Sequence, residues 1–252
     1  MKAELNILAI ETASEACSAA LLMMNEAGNS KIFSRVETTP RQHAKLILSL
    51  LDEVLEDGGI SLNEVDNISF SRGPGAFTGL RIAAGVAQGI ALSIDAPVAP
   101  VSTLAALAWH SNDLLIDLDR KAKNDIIAVA MDARMGEVYW GFFRFSDENK
   151  VDLINEERVT KPETLLQETL QLTEDYQDSQ IICLGSGWDI YEETLLGNEK
   201  PGNILHLKNA QTNAKDIAEL ALNLILEGNV VKPEDAQPVY IRNDVAKKSA
   251  KQ

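Results

Sequence analysis

Cysteine, histidine, aromatics and positive charge are all scarce in this chain. Its 252 residues hold two cysteines, Cys17 and Cys183, each inside an apolar run, so a disulfide framework is excluded. No basic segment followed by an apolar one opens the chain, and a reduced, cytoplasmic protein is expected. The three histidines, His43, His110 and His206, are scattered, and none has a His, Cys or carboxylate at the i+4 spacing of a helical metal site. The sequence therefore points to no metal. Lys and Arg number 23 against 38 Asp and Glu, a net charge of −15 that opposes a polyanion and excludes an autonomous nucleic-acid binder. Ile82 to Ile94, the longest weakly polar stretch, is interrupted by Gln88 and is shorter than the about 20 residues needed to cross a bilayer, so no membrane role is implied. There is no nucleophile elbow and no Cys-x-x-Cys pair, and the catalytic set is empty. Aromatics are 5% of the chain; the cluster at Tyr139, Trp140, Phe142, Phe143 and Phe145 has few basic neighbours and is a buried strand rather than a base-stacking platform.

What is present is ordinary globular material, 45% apolar and 24% charged, in a chain long enough for two lobes. Leu5 to Ala13, Cys17 to Met24 and Lys31 to Glu37 carry the pattern of three strands, with a tight turn at Ser14-Glu15. Thr39, as N-cap, and Pro40 then open a helix that Gly58-Gly59 closes. A strand at Asn67 to Ser71, a Gly-rich turn, a long helix to Ile94 and a strand at Pro97 to Val101 complete the unit.

A second copy follows. Strands are expected at Asp125 to Asp132, Val138 to Phe145 and near Val151 to Val159, and a helix opened by Lys161-Pro162. Then come a strand at Gln180 to Leu184, a Gly185-Ser186-Gly187 turn, a strand at Asn203 to Leu207 and a helix at Ala214 to Glu227. Local text registers the copies: Ala9-Ile10-Glu11-Thr12 answers Ala130-Met131-Asp132-Ala133 at an offset of 121, and Val36 to Pro40 answers Arg158 to Pro162 at 122. Three strands, then alternating helix and strand, twice, predicts an α/β protein with a duplicated actin-like (ribonuclease-H-like, ASKHA) fold, two lobes each built on a mixed sheet with flanking helices. The boundary is placed near Ser102, giving lobes 1–102 and 103–252.

In such folds the hairpin between the first two strands of a lobe cradles phosphate, and an acidic residue at the strand end holds a metal. Glu11 and Asp132 occupy those ends, but the flanking text, Glu11-Thr12-Ala13-Ser14 and Asp132-Ala133-Arg134-Met135, lacks the glycine that lets a phosphate approach. Two roles are open for them: capping of turn N–H groups, or a weak nucleotide or Mg2+ role, as a residual ATP or ADP site formed with Thr12, Gly185 and Gly187.

The most informative segment is Ser71-Arg72-Gly73-Pro74-Gly75-Ala76-Phe77-Thr78-Gly79-Leu80-Arg81 and the helix it opens. Gly75, Gly79, Ala83, Ala87 and Ala91 recur every four residues, making one face where another backbone can come close. The rest of the helix is apolar too, relieved by Arg81 and Gln88, so cover is needed beyond its own sheet. The preceding helix carries Leu46, Ile47, Leu50, Leu51, Val54 and Leu55 on a broad stripe, with His43 in its first turn. Either the two helices cover each other, or they form a surface for another chain. A phosphate loop at Gly73-Pro74-Gly75 fails the motif test, since the Lys-Ser/Thr ending is missing.

The run Ser71 to Ile82, with the strand Ile7-Leu8-Ala9-Ile10-Glu11-Thr12-Ala13 and the late Pro238-Val239-Tyr240-Ile241-Arg242, resembles the bacterial TsaB (YeaZ) family. The resemblance runs from the first strand to the tail, and Gly-Pro-Gly-x-Phe-Thr-Gly-Leu-Arg is a highly specific motif. It implies a non-catalytic, cofactor-free subunit of the machinery that makes threonylcarbamoyladenosine at position 37 of tRNAs reading codons that begin with A. The implied partners are the catalytic paralogue TsaD and the ATPase TsaE, with a homodimer when the paralogue is absent and tRNA met only indirectly. The paralogue's Asn-His-x-x-x-His metal motif corresponds here to Ser102-Thr103-Leu104-Ala105-Ala106-Leu107, without either histidine. The implied contact surface is the helix pair: His43, Leu46, Ile47, Leu50, Leu51, Val54, Gly75, Phe77, Gly79, Leu80, Ala83 and Ala87. The competing class is an enzyme, an actin-like phosphotransferase or a metallopeptidase, for which the sequence offers neither an Asp-x-Gly-Thr hairpin nor the histidines.

Overall fold

The structure, a computed structural model, describes residues 4–39, 41–116, 118, 125–147, 150–197 and 203–242. The first sheet holds β1 (Leu5–Glu11), β2 (Cys17–Met24), β3 (Ser30–Glu37), β4 (Asn67–Gly73) and β5 (Val98–Ser102), in the order β3-β2-β1-β4-β5. β1 and β2 form an antiparallel hairpin from Leu5↔Met24 to Glu11↔Ser18, and β4 and β5 lie parallel on the other side of β1. Helix α1 (His43–Gly58) links β3 to β4, α2 (Phe77–Ile94) links β4 to β5, and α3 (Thr103–Ile116) follows β5 directly.

The second sheet holds β6 (Ile126–Asp132), β7 (Val138–Asp147), β8 (Lys150–Leu153), β9 (Arg158–Thr160), β10 (Ile181–Leu184) and β11 (Ile204–Leu207). Its order is β11-β10-β6-β7-β8, with β9 also on β7. Both lobes thus centre on their first strand, with an antiparallel hairpin on one side and parallel strands on the other, and the 121-residue offset carries β1 onto β6 and Glu11 onto Asp132. This is the duplicated actin-like architecture. Helix α4 (Pro162–Asp175) precedes β10, the short α5 (Ser186–Ile190) and α6 (Glu192–Leu196) stand where the first lobe has α2, and α7 (Ala214–Leu226) is followed by a 3-10 turn at Pro233–Asp235.

Alternation along the strands sorts the core into layers. Leu8, Ile10, Ile68 and Phe70 face α1 and α2, whereas Ile7, Ala9, Ala99 and Val101 face α7 and Ala106 of α3. The other side of α3, with Leu104, Leu107 and Leu115, packs on Ile127, Val129 and Leu184 of the second sheet. Ala128, Ala130 and Trp140, on that sheet's far face, meet α4, α5 and α6. The chain is therefore five layers deep, and α3 and α7 form the middle one. Although α7 follows the second lobe in sequence, it covers the first lobe's sheet.

Four local expectations are corrected. Helix α1 starts at His43 with Gln42 as N-cap, not at Thr39, because Arg41 takes a left-handed φ of 60° that breaks the helix before that point; Pro40 lies outside the described residues. The strand expected over Val151 to Val159 is two, β8 and β9, both on β7. Gly185-Ser186-Gly187 is a helix start rather than a free turn, with Gly185 as N-cap of α5. Helix α3 has no counterpart among the expected elements.

Candidate partner interface

The Gly-rich motif is explained first by what it packs against. The α2 N-cap, Ala76, donates its N–H to the Ala13 carbonyl at 2.9 Å, and the buried Thr12 hydroxyl donates to the Gly79 carbonyl at 2.7 Å. A Cβ at Gly75 would lie 2.7 Å from the Ala13 oxygen, and one at Gly79 would overlap the Thr12 carbonyl oxygen. Both glycines are thus required by close approach of the first turn of α2 to the β1–β2 turn.

That turn is the place where related folds hold phosphate, and here the Ala13 and Ser14 amides and the Thr12 hydroxyl already have acceptors within the lobe. Glu11, with no solvent exposure, accepts from the Ala13 and Ser14 amides at 2.7 and 2.9 Å. Burial pushes its carboxyl up to about 7 against the lowering effect of the Ser71 hydroxyl, those two amides and the Ser14 hydroxyl. The second lobe repeats the device: Asp132 accepts from the Arg134 amide at 3.0 Å and faces the Tyr191 hydroxyl at 3.4 Å. Gly185 and Gly187 press on β6, where a Cβ at Gly185 would overlap the Ala130 oxygen and one at Gly187 would lie 3.0 Å from Ala130. Glu11 and Thr12 find their partners in the first lobe and Asp132, Gly185 and Gly187 theirs in the second; no hydrogen bond among the described residues joins the two sets.

The helix pair is placed as follows. Ile47, Leu50, Leu51 and Val54 of α1 and Ala83 and Ala87 of α2 are all under 5% exposed and belong to the first lobe's own core, and Leu80, 2% exposed, is buried beside Gly73. The small-residue face of α2 therefore points inward, because only small side chains let α2 lie close on β1 and β4. His43 and Leu46 are half-buried at the start of α1, and among the described residues the His43 Nε2 has no hydrogen-bond partner. Of the motif residues, Phe77 is on the surface, 56% exposed. The free face of α2 is its opposite side, where Gly85 and Gly89 are open, Leu92 is 62% exposed and Ile82, Val86 and Ile90 are half-buried. Leu48 on α1 adds a further exposed apolar group. An 18-residue helix with mean hydropathy 1.4 is only about one-third buried. A helix this apolar is normally covered on all sides.

Several relatives share this architecture. The TsaB protein of Escherichia coli strain K12, described as a tRNA threonylcarbamoyladenosine biosynthesis protein, is 36% identical over 249 residues, 96% of either chain. The chain belongs to the TsaB family. A sequence model of a wider family, described as TsaD, tRNA N6-adenosine threonylcarbamoyltransferase, matches residues 32–250. The solved structure of YeaZ from Pseudomonas aeruginosa superposes with a TM-score of 0.77 at 35% identity, covering 94% of this chain and 99% of that one. The tRNA N6-adenosine threonylcarbamoyltransferase of Chlorobium phaeobacteroides strain BS1 is 30% identical over 112 residues, 40% of this chain and 32% of that one.

The TsaB-type tail has a contact role that sequence reasoning missed. Val239 donates its N–H to the Arg72 carbonyl at 2.7 Å, Tyr240 stacks on Phe77 with centroids 5.6 Å apart and accepts from Arg81 Nε at 3.2 Å, and Arg242 pairs with Glu137 on the β6–β7 hairpin. Gln88 donates to the Ala236 carbonyl at 3.1 Å. Arg81 and Gln88, the two long polar side chains of a mostly apolar helix, are thus the anchors of the tail. Glu157, between β8 and β9, reaches Ser102 at the end of β5; burial raises its carboxyl pKa against Ser102 and the Arg72 charge. No local signal announces these contacts, which join residues 55 to 167 positions apart.

Proposed function

We propose that this chain is a non-catalytic subunit for tRNA threonylcarbamoyladenosine biosynthesis that docks the catalytic paralogue TsaD through the outward face of α2 and the adjoining Leu48 of α1. In the paralogue's absence the same face pairs two copies of this chain. The observation that carries the reading is the uncovered apolar surface running from Phe77 past Gly85 and Gly89 to Leu92, where the two open glycines let a second helix come close. Modification is directed to adenosine 37 of tRNAs that read codons beginning with A, TsaE joins the assembly, and tRNA is gripped by the partners, because a net charge of −15 opposes it here.

The non-catalytic part rests on the two hairpin turns. The Ala13 and Ser14 amides are bonded to Glu11 and the Arg134 amide to Asp132, and backbone carbonyls of Thr12 and Ala13 are closed off by Gly75 and Gly79, which supports a chain that holds no nucleotide or metal at those turns.

Leu92→Asp tests the surface. It leaves the fold intact, makes the isolated chain monomeric by light scattering and abolishes both co-elution with TsaD and tRNA modification in a reconstituted mixture with TsaE. A wild-type chain that neither dimerises at high micromolar concentration nor co-elutes with TsaD refutes the proposal, as does full modification with this chain omitted.

A further inference from the structure

In the middle layer, three donor groups converge from two helices. His110 and Asp113 stand three residues apart on one face of α3, and Asp216 is the third residue of α7. One ligand atom from each lies within 4.8 Å of the other two. We propose that His110, Asp113 and Asp216 form a site for a divalent transition metal of the zinc class.

The His110–Asp216 separation suits coordination better than the hydrogen bond now present. His110 Nδ1 and Asp216 Oδ1 are 3.3 Å apart, long for an imidazole–carboxylate hydrogen bond, for which about 2.7–2.9 Å is usual, but ordinary for two ligands on one ion with bonds of about 2.0–2.2 Å. The other oxygen of Asp216 is committed. It accepts from the Asn213 amide at 2.9 Å and the Thr212 hydroxyl at 3.4 Å, which fixes the carboxylate so that Oδ1 faces His110. Such outer contacts hold ligands ready for a metal. The Asp216 side chain is 1% exposed while that of Asp113 is 46% exposed, so the cluster is closed at one end and open to an entering ion, and to a water as fourth ligand, at the other.

Charge favours a cation as well. Among the described residues, Asp113, Asp216 and Glu219 face a single ammonium, Lys215, which pairs with Asp113 and lies 3.7 Å from Glu219 Oε1. Glu219 is held in place by Trp109 Nε1, 2.7 Å from its other oxygen. Lys215 therefore has a second carboxylate to rest on when Asp113 turns to the metal. One imidazole nitrogen with two carboxylate oxygens selects a zinc-class ion over magnesium and calcium, which take all-oxygen shells. Bound there, the ion ties α3, packed on the second sheet, to α7, packed on the first. The site lies across the first sheet from α1 and α2 and does not depend on the docking proposal.

The test is titration of Zn2+ alone into the untagged, chelator-stripped full chain, by calorimetry and by competition with a chromophoric chelator. One equivalent binds with a dissociation constant of micromolar order or tighter and raises the thermal midpoint, and Mg2+ at the same concentration does neither. Asp113→Asn, on a half-exposed side chain outside the α7 cap, weakens binding by about tenfold or more, as does His110→Gln; both remain folded by circular dichroism. With Co2+ in place of Zn2+, the visible d–d absorption of the wild type is lost in Asp113→Asn. A wild-type chain that takes up no equivalent of Zn2+, or His110→Gln and Asp113→Asn chains that both bind like the wild type, overturns the site.

Discussion

The same substitution made six residues apart on α2 should have opposite effects. Gly79→Ala places a methyl group on the Thr12 carbonyl oxygen, 2.9 Å from the Thr12 carbonyl carbon and 3.3 Å from the Ala13 Cα. All three are backbone atoms at the end of a central strand, so no side chain can rotate away. Either α2 or the β1–β2 turn must move, and the move stretches the Thr12–Gly79 and Ala76–Ala13 hydrogen bonds. Overpacking costs about 1–3 kcal/mol, leaving a buried polar group without its partner costs about 1–3 kcal/mol, and alanine's helix preference returns about 1 kcal/mol. The net loss is about 1–5 kcal/mol, a large part of the roughly 5–15 kcal/mol that holds a folded domain together. A methyl group at Gly85 would meet nothing within 4 Å, so Gly85→Ala keeps only the helix gain, a stabilisation of about 0.5–1 kcal/mol. Urea unfolding followed by tryptophan fluorescence at dilute, monomeric concentration reads both. In thermal unfolding the midpoint falls by about 2–20 °C for Gly79→Ala and rises by about 1–4 °C for Gly85→Ala. A Gly79→Ala chain within about 0.5 kcal/mol of wild type would refute the view that close backbone approach explains the motif's glycines.

Ala83→Glu, at a position without exposure, buries an unpaired carboxylate and should cost several kcal/mol, seen as loss of folded protein by circular dichroism, whereas Leu92→Asp on the exposed face should leave the unfolding midpoint within about 0.5 kcal/mol. Glu11 makes stability fall as pH rises: below 4.5 its carboxyl is protonated in both states, between 4.5 and about 7 the unfolded chain gives up its proton first, and above that the cost is constant. Glu11→Gln should flatten this slope and stabilise the chain at pH 8 by up to about 3 kcal/mol, measured as urea midpoints across the range, and an unchanged slope would sink the assignment. Tyr240→Ala removes the ring contact with Phe77 and the Arg81 bond, and should cost about 1–2 kcal/mol and speed proteolysis of the tail.

Much of the architecture was legible in local text. Cys17 to Met24 is a strand over the expected residues, Lys161-Pro162 opens α4, and the register between Glu11 and Asp132 marks the duplication, because apolar period, proline at the first helical position and turn residues all act within a few positions. The motif from Ser71 to Arg81 was enough to indicate the family. The direction of the α2 faces was not legible. Gly79 and Gly85 are both glycines in an apolar helix, and only the position of β1 makes one of them indispensable and leaves the other open. Helix α3 escaped notice because it is covered on both sides, by α7 and by the second sheet, and so carries no polar stripe to betray its period. The convergence of His110 and Asp113 with Asp216 depends on α7 returning across to the first sheet, a packing of segments about a hundred residues apart. Local propensity chooses helix or strand within a few residues, whereas the burial of a face, the need for a glycine and the meeting of donors are set by which distant backbone arrives there, and that is decided only when the layers pack.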